Sequence, residues 1–180
     1  MKNKINLQRF ASDPVQGSKI IYLLRVLSKM TEKAADIVAF QSEGTTSRSK
    51  DADTVKTKDG VLRVPGALEV THSLTSLIPV GNTLIDELKE AQESDDPIEV
   101  WRVNCAEKGT DTNSGKYKAE YSRGYLTSVE ESANAEDFAE LSLEVGVYGT
   151  PRSGYVTLTK DQEEMVQYIF QDVAAATKTE

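Results

Sequence analysis

The sequence predicts a mainly β protein, specifically a β-sandwich with one flanking α-helix. Segments 116–122 and 138–147 alternate between apolar and polar residues, as strands with one buried and one exposed face do. Several short runs rich in β-branched and aromatic residues are bounded by Pro, Gly, Asn and Asp. Residues 83–93 place their apolar side chains on one face of a helix. A chain of 180 residues is long enough for one domain with a substantial core.

The first predicted elements are an arm and a buried strand. Residues 1–18 precede the first strand signal and are predicted to form an extended N-terminal arm. The run KIIYLLRV at 19–26 is nearly continuous in apolar residues, which is typical of a strand buried on both faces. A second strand is predicted at 34–40. The sandwich domain is predicted to extend over 19–173, and a C-terminal tail over 174–180.

A long polar segment at 41–60 is predicted to be an inter-strand loop. Four basic and four acidic residues balance there, and Val55 is its one aliphatic residue larger than alanine. Such a segment cannot bury enough apolar surface to fold on itself. Loops of this length in compact domains are usually functional or disordered. We therefore expect this loop to become ordered against a partner, with a floppy insertion as the alternative.

The middle of the chain is predicted to contain two further strands and the helix. The turn signal at 58–60 leads into a strand at 61–64. After Pro65-Gly66, residues 68–75 alternate with period two. The helix is expected to begin at Thr83, whose hydroxyl can cap the first turn with Asp86 three residues on.

The C-terminal half is again predicted to be mostly strand. Residues 98–104, IEVWRVN, form a strand in which Trp101 is either a core anchor or part of a contact surface. The alternating strands 116–122 and 138–147 follow. Residues 161–170 suit either state, and we favour a helical turn leading into a strand.

The residue types needed for catalysis or metal binding do not cluster in this sequence. The single cysteine, Cys105, and the single histidine, His72, are far apart, so no metal-ligand spacing and no disulfide framework is present. His72 is expected to be a satisfied surface or core histidine, and Cys105 a half-buried residue at a strand end. No GxSxG elbow or phosphate-binding glycine loop occurs. We therefore expect no enzyme, no cofactor and no metal.

The charge distribution along the chain is uneven. The formal net charge is −8, which disfavours a general nucleic-acid binder. Residues 1–33 carry seven basic against two acidic residues, or +5, whereas 130–144 carry six acidic residues and no basic one. Such asymmetry suits either a solvated surface or a subunit that meets copies of itself head to tail. No apolar run is long enough to span a bilayer and no signal-like segment opens the chain, so we expect synthesis in the cytosol without membrane contact.

Five segments in this order resemble the major tail proteins, the tail tube subunits, of long non-contractile tailed phages and prophages of Gram-positive bacteria. The order and spacing of the segments carry the resemblance more than any one of them, because they include polar turn residues that core packing does not dictate. The segments are GSKIIYLLR (17–25), AFQSEGTTSRSKDADTVKTKDG (39–60), IEVWRVN (98–104), KYKAEYSRGYLTSVEESANAEDFAELS (116–142) and TLTKDQEEMVQYIFQD (157–172).

The resemblance implies a structural virion protein with a tail-tube type β-sandwich. Members of this family assemble into hexameric rings that stack into a tube, through which DNA passes during ejection into the host. The implied partners are other copies of the chain, the tape measure protein and DNA in the lumen, and tail terminator and distal tail proteins at the tube ends. The resemblance implies the phage tail as the location, after synthesis in the bacterial cytoplasm.

The resemblance also implies roles for particular residues. The loop at 41–60 would contact a neighbouring subunit or ring through Gln41, Glu43, Arg48, Lys50, Asp51, Asp53, Lys56, Lys58 and Asp59. The polar side of one alternating strand, Glu140, Ser142 and Glu144, is either lumen-facing or ordinary outer surface. The basic arm would contact an adjacent subunit through Lys2, Lys4, Arg9 and Lys19. The alternative is a monomeric β-sandwich that acts as a binding or decoration module of a virion.

Overall fold

The structure of the protein, a computed structural model, describes residues 14–169 and their side chains up to residue 164. Within this range the mainly β class with a flanking helix is confirmed. The strands and helices are β1 Ile20–Val26, β2 Asp36–Ile37, β3 Gln41–Thr57, β4 Gly60–Leu77, α1 Thr83–Glu93, β5 Ile98–Lys108, β6 Tyr117–Ser132, β7 Glu140–Val156 and α2 Lys160–Ile169. Most of the predicted N-terminal arm and the predicted tail at 174–180 lie outside the described residues.

Hydrogen bonds join the seven strands into one antiparallel sheet of order β2-β1-β5-β6-β7-β4-β3. The end strand β3 meets β1, which lies next to the short end strand β2, at a seam. The Tyr22 backbone N–H donates to Gln41 Oε1 at 3.0 Å, and Gln41 Nε2 donates to the Tyr22 carbonyl oxygen at 2.6 Å. One side-chain amide therefore replaces a pair of backbone hydrogen bonds, and opposite halves of the sheet enclose a common core.

The core consists of two clusters on opposite sides of β1 and β5. Because successive side chains of a strand point to opposite faces, Tyr22 and Leu24 enter the first cluster while Ile21 and Leu23 enter the second. This confirms the prediction that the first strand is buried on both faces. Helix α1 covers the first cluster with Leu84, Ile85, Leu88 and Ala91, and Leu158 after β7 covers the second.

The predicted bounds of α1 are confirmed, but its cap is a different residue. Leu84 N–H donates to the side chain of Asn82 at 2.8 Å, so Asn82 is the N-cap and Thr83 is the first helical residue. Asparagine is as good an N-cap residue as threonine. The capping-box pattern formed by Thr83 and Asp86 led to a predicted cap one residue too late in the chain. On the exposed side of the helix, Glu87 forms ion pairs with Lys29 and Lys33.

The largest correction concerns residues 41–60, which do not form a loop. They form the strand β3, which pairs with β4 from Thr57↔Gly60 to Gln41↔Ser76, and the turn at Lys58 and Asp59 joins the two strands. The predicted strands 61–64 and 68–75 belong to the single strand β4. Pro65 does not interrupt β4 because β7 pairs with it only from Val70 onward, so Pro65 lies on an edge and next to a register shift.

Other element predictions were incomplete. The strand expected at 34–40 is only the two-residue β2, whereas β6 and β7 extend well beyond the alternating segments that predicted them. The helical turn expected in 161–170 is the longer helix α2, and residues to Ile169 are helical instead of entering a strand. Phe170 lies outside the described residues.

Candidate assembly surfaces

The outer half of the β3–β4 hairpin, residues 50–68, projects beyond the rest of the sheet, and we call it the distal hairpin. Neither β7 nor another described strand pairs with it, and its residues are exposed on both faces apart from the half-buried Leu68. The pairs Val55↔Leu62 and Asp53↔Val64 place three apolar side chains on one of these faces. Val55, Leu62 and Val64 are 47%, 57% and 44% exposed, respectively. The distal hairpin therefore presents an apolar face that the subunit itself does not cover.

The residues predicted to contact other subunits divide into two groups. Lys50, Asp51, Asp53, Lys56, Lys58 and Asp59 lie in the distal hairpin and are exposed, and Glu43 is exposed nearer the base of β3. Gln41 instead closes the β1–β3 seam, and Arg48 forms an ion pair with Glu120 of β6. Gln41 and Arg48 thus stabilise the subunit itself.

A second surface lies on the outer side of β3, β4, β7 and β6, and we call it the hydroxyl–acidic face. Residues paired directly across strands share a face. Ser73 therefore lies on one side of Glu144 and Ser128 on the other, and Thr45 follows on the far side of Ser73. The next rows have the same character, and none of the members of this face is Lys or Arg. Its members are Glu43, Thr45, Ser47, Thr71, Ser73, Thr75, Ser128, Glu130, Ser132, Glu140, Ser142 and Glu144. On the same side of β6 and β7, the rows that follow are Tyr125↔Gly146 and Arg123↔Tyr148.

The three residues predicted to be lumen-facing, Glu140, Ser142 and Glu144, lie together on the hydroxyl–acidic face. The alternate residues of the same strand, Leu141 and Leu143, are 1% and 3% exposed in the first core cluster. The alternation read from one strand is therefore part of a face that extends across four strands. Sequence reasoning missed the contributions of β3 and β4 because their register with β7 could not be known.

Basic residues from the sequence-predicted arm are only partly described. Lys19 is half-buried and ends a short 3-10 turn, Gly17–Lys19, directly before β1. Lys2, Lys4 and Arg9 lie outside the described residues.

A chain of buried polar groups crosses the first core cluster and includes the single histidine. Tyr22 Oη is hydrogen-bonded to Thr46 Oγ1 at 3.0 Å, and Thr46 Oγ1 to His72 Nδ1 at 2.9 Å. His72 Nε2 is hydrogen-bonded to Ser122 Oγ at 2.8 Å. Burial lowers the pKa of His72 to about 4. His72 is thus a satisfied histidine in the core, one of the two placements that the sequence left open.

A cluster that sequence reasoning missed surrounds Glu99. Glu99 is 2% exposed, and Arg25 Nε donates to its carboxylate at 2.8 Å. Tyr121 and Arg123 bind the other carboxylate oxygen. The guanidinium of Arg25 lies 5.1 Å from the centre of the Trp101 ring, which packs against the second core cluster. The available signal was the spacing: Glu99, Trp101 and Val103 are two residues apart, so they share one side of the strand, and an inward Val103 predicts an inward Glu99.

The described residues show no arrangement typical of a metal centre or a reactive thiol. No group of three His, Cys, Asp or Glu side chains among them could hold a metal ion. Burial raises the pKa of the half-buried Cys105 thiol to about 11, so the thiol remains protonated near neutral pH. None of the helices in residues 14–169 is long and apolar enough to cross a membrane.

Comparison with known proteins determines the family to which this architecture belongs. A family model described as phage tail tube protein matches residues 14–153. The chain belongs to the phage tail tube protein family. It is therefore a structural protein of the phage tail, as the sequence resemblance predicted.

Individual relatives of this tail tube protein agree with the assignment. A putative tail protein of Staphylococcus phage phiMR25 is 28% identical and aligns with 98% of this chain and 85% of its own length. The tail tube protein gp17.1* of Bacillus phage SPP1 is 25% identical over 79% of this chain, but this match spans only 53% of that relative. Both hosts are Gram-positive genera, in agreement with the resemblance.

Solved structures share the fold of this tail tube protein. The SPP1 tail tube structure has a TM-score of 0.70 at 21% identity and covers 85% of this chain and 86% of that one. The tail of a gene transfer agent particle, determined with C6 symmetry, has a TM-score of 0.59 at 12% identity. It covers 77% of this chain and 98% of that one.

Proposed function

We propose that this tail tube protein assembles into hexameric rings that stack into a tube, and that DNA passes through the lumen during ejection into the host. The observation that carries this proposal is the hydroxyl–acidic face, a smooth polar side of four strands whose other side is apolar core. Sixfold symmetry is supported by the shared fold with the gene transfer agent tail.

The chemistry of the hydroxyl–acidic face suits the wall of a DNA channel. Proteins that hold DNA neutralise its phosphates with Lys and Arg, and each such contact strengthens binding. Glu140 and Glu144 repel phosphates instead, and Ser142 and its hydroxyl neighbours are short. DNA and the tape measure protein, the two proposed occupants of the lumen, could therefore slide along this wall without being held.

The distal hairpin is the proposed contact with a neighbouring subunit or ring. The apolar side chains of one face, Val55, Leu62 and Val64, are exposed in the subunit, as is Val61 on the opposite face, and a monomer would leave them in water. Burial of such side chains contributes roughly 25 cal/mol for each Å² of apolar surface. The flanking charges Lys56, Lys58 and Asp59 then define the orientation of the contact.

Shortening the distal hairpin tests this role. Lys50 pairs directly with Leu68, so an Asn-Gly turn can replace residues 51–67 without changing the register of the sheet below. We expect the variant to keep its thermal transition within a few degrees and to form no tubes in negative-stain electron microscopy. Tubes of normal length from this variant would contradict the proposal.

A matched pair of point variants separates contact chemistry from hairpin shape. Val55→Ser with Leu62→Ser removes two of the three side chains of the apolar face, whereas Thr54→Ser with Arg63→Ser changes the opposite face of the same hairpin. We expect only the first pair to abolish assembly. A monomeric decoration module, by contrast, would remain a single species at all concentrations for wild type and both variants.

The remaining proposed partners follow from the position of the protein in a tail. Tail terminator and distal tail proteins would cover the two ends of the tube. The basic N-terminal arm, with Lys2, Lys4, Arg9 and Lys19, would contact acidic surface on an adjacent subunit. No catalytic step, cofactor or metal enters this proposed function.

A further inference from the structure

Arginine and tyrosine side chains continue the outer side of β6 and β7 beyond the hydroxyl–acidic face, and we call this part of the surface the arginine–tyrosine face. Its members are Tyr121, Arg123, Tyr125, Tyr148 and Arg152, brought together by the pairs Tyr121↔Arg152 and Arg123↔Tyr148. Tyr125 and Tyr148 are 46% and 45% exposed, and their ring centres lie 5.7 Å apart. Tyrosine and arginine are enriched at protein interfaces, so this composition is typical of a contact surface.

The arginine–tyrosine face has an unbalanced positive charge. Its nearest carboxylate, Glu99, is buried and already bound by Arg25, Tyr121 and Arg123. Arg152 forms no side-chain hydrogen bond or ion pair with any residue in the described part of the chain. This face can therefore accept further carboxylates from outside the subunit.

The opposite end of the same β6–β7 hairpin has the complementary chemistry. Residues 130–138, which we call the acidic turn, contain Glu130, Glu131, Glu136 and Asp137 and no basic residue. Of these carboxylates Glu131 is paired, with Lys89 of α1. Phe138 at the end of the turn is 79% exposed. The acidic turn thus combines an uncovered aromatic ring with carboxylates, Glu130, Glu136 and Asp137, that form no ion pair within the described residues, although Asp137 accepts a hydrogen bond from Asn134.

The acidic turn cannot reach the arginine–tyrosine face of its own subunit. Both lie on one extended hairpin, and the nine steps along the chain from Arg123 to Ser132 span roughly 30 Å at about 3.3 Å per residue. A contact between them must therefore join two copies of the chain. Because it would use different surfaces on the two copies, the contact can repeat without self-complementary patches.

We propose that the arginine–tyrosine face of one subunit binds the acidic turn of the next, with Arg152 and Arg123 facing Glu136 and Asp137 and with Phe138 packed beside Tyr125 and Tyr148. This inference rests on the proposed self-assembly and names two surfaces that form one of its contacts. It is independent of the distal hairpin, which lies on different strands.

Cysteine cross-linking tests the contact directly. The variant carries Ser153→Cys and Ala135→Cys, exposed positions next to Arg152 and Glu136 that leave both charges in place, in a Cys105→Ser background. A short bis-maleimide is added after assembly. We expect a ladder of covalent dimers, trimers and higher oligomers on denaturing gels, because each subunit contributes one cysteine to each of two neighbours. Each single-cysteine variant is the control and should give no ladder. Tubes that form normally but give no ladder would overturn the inference.

Charge reversal provides a second, reciprocal test. Arg152→Glu alone, or Glu136→Lys with Asp137→Lys, should slow assembly at least tenfold by light scattering, and the combination should restore most of the rate. Lys160→Glu makes the same charge change at an exposed site outside both surfaces and should leave the rate within twofold. A combined variant as slow as the single changes, or Arg152→Glu as fast as Lys160→Glu, would overturn the inference. If wild type forms no rings or tubes, the proposed function itself fails, which is distinguishable from failure of this contact alone.

Discussion

His72 connects the stability of the subunit to pH through one buried side chain. It is 1% exposed, and both ring nitrogens are occupied by hydroxyl partners, Thr46 and Ser122. Burial lowers its pKa from 6.5 to about 4, since a charged imidazolium would lose its hydration there. The neutral histidine is therefore part of the native core.

The first prediction concerns stability at acid pH. Because the unfolded chain takes up a proton near pH 6.5 and folded His72 does so only near pH 4, its contribution is complete above pH 6.5. It is lost progressively as pH falls from 6.5 to 4. The full loss is about 3 kcal/mol of unfolding free energy. Urea denaturation at pH 7, 5.5 and 4.5 measures it.

The control is His72→Gln, which removes the titrating group and retains a hydrogen-bonding side chain. Carboxylates also titrate at low pH, so the informative quantity is the difference between the two pH profiles. We expect the variant to be less stable at pH 7 but to lose less stability between pH 6.5 and 4.5. Parallel profiles for the two proteins would contradict the role assigned to His72.

Among the elements, the seam between β1 and β3 determines whether the sheet closes. Gly44 of β3 lies directly against the ring of Tyr22, and a Cβ at this position would lie 2.9 Å from Tyr22 Cδ2 and closer still to Cε2. A glycine is required there because the two strands approach each other closely. The hydrogen bonds of Gln41 and Thr46 to Tyr22 also require β1 and β3 to lie this close together.

The second prediction follows from this close packing. Gly44→Ala should lower the unfolding free energy by about 1–3 kcal/mol, the usual cost of an overpacked site. Gly17→Ala is the control, because no atom lies within 4 Å of the added Cβ there. Chemical denaturation compares the two. If both substitutions changed stability equally, the seam would not depend on this contact.

The sequence predicted best those elements that bury at least one face. Strands β5, β6 and β7 and helix α1 bury alternate or helically spaced side chains, so hydrophobic periodicity reveals them. Strand β1 is buried on both faces and is revealed by its continuous apolar run. The distal half of β3 buries neither face, and a strand without a buried side has no apolar alternation to detect. Backbone hydrogen bonds and a tight turn determine its pairing with β4, and neither can be recognised from amino-acid composition.

The candidate surfaces were predictable to a smaller extent. Glu140, Ser142 and Glu144 could be recognised as one polar side because their apolar neighbours alternate with them in the same strand. Their continuation through Ser73 and Thr45 depends on cross-strand register, and so does the pairing of Arg123 with Tyr148. Long-range register of this kind is a property of the folded sheet, which a single sequence does not specify.

For the whole molecule, charge asymmetry leads to the third prediction. The basic N-terminal arm is proposed to contact acidic surface on another subunit, and exposed charges are screened over about 10 Å at 0.1 M salt. Assembly of the full chain should therefore slow as salt rises, and deletion of residues 1–12 should reduce that dependence. Light-scattering kinetics at several salt concentrations measure both slopes. Equal slopes would exclude the arm as an electrostatic contact, although the arginine–tyrosine face would still contribute to each of them.

The central claim is that copies of this chain form a hollow tube whose wall is the hydroxyl–acidic face. Cryo-electron microscopy of particles assembled from the purified protein tests it most directly. We expect stacked sixfold rings in which Glu140, Ser142 and Glu144 face the channel and α1 lies away from it. A channel lined by α1, or a protein that remains monomeric at every concentration, would contradict the claim.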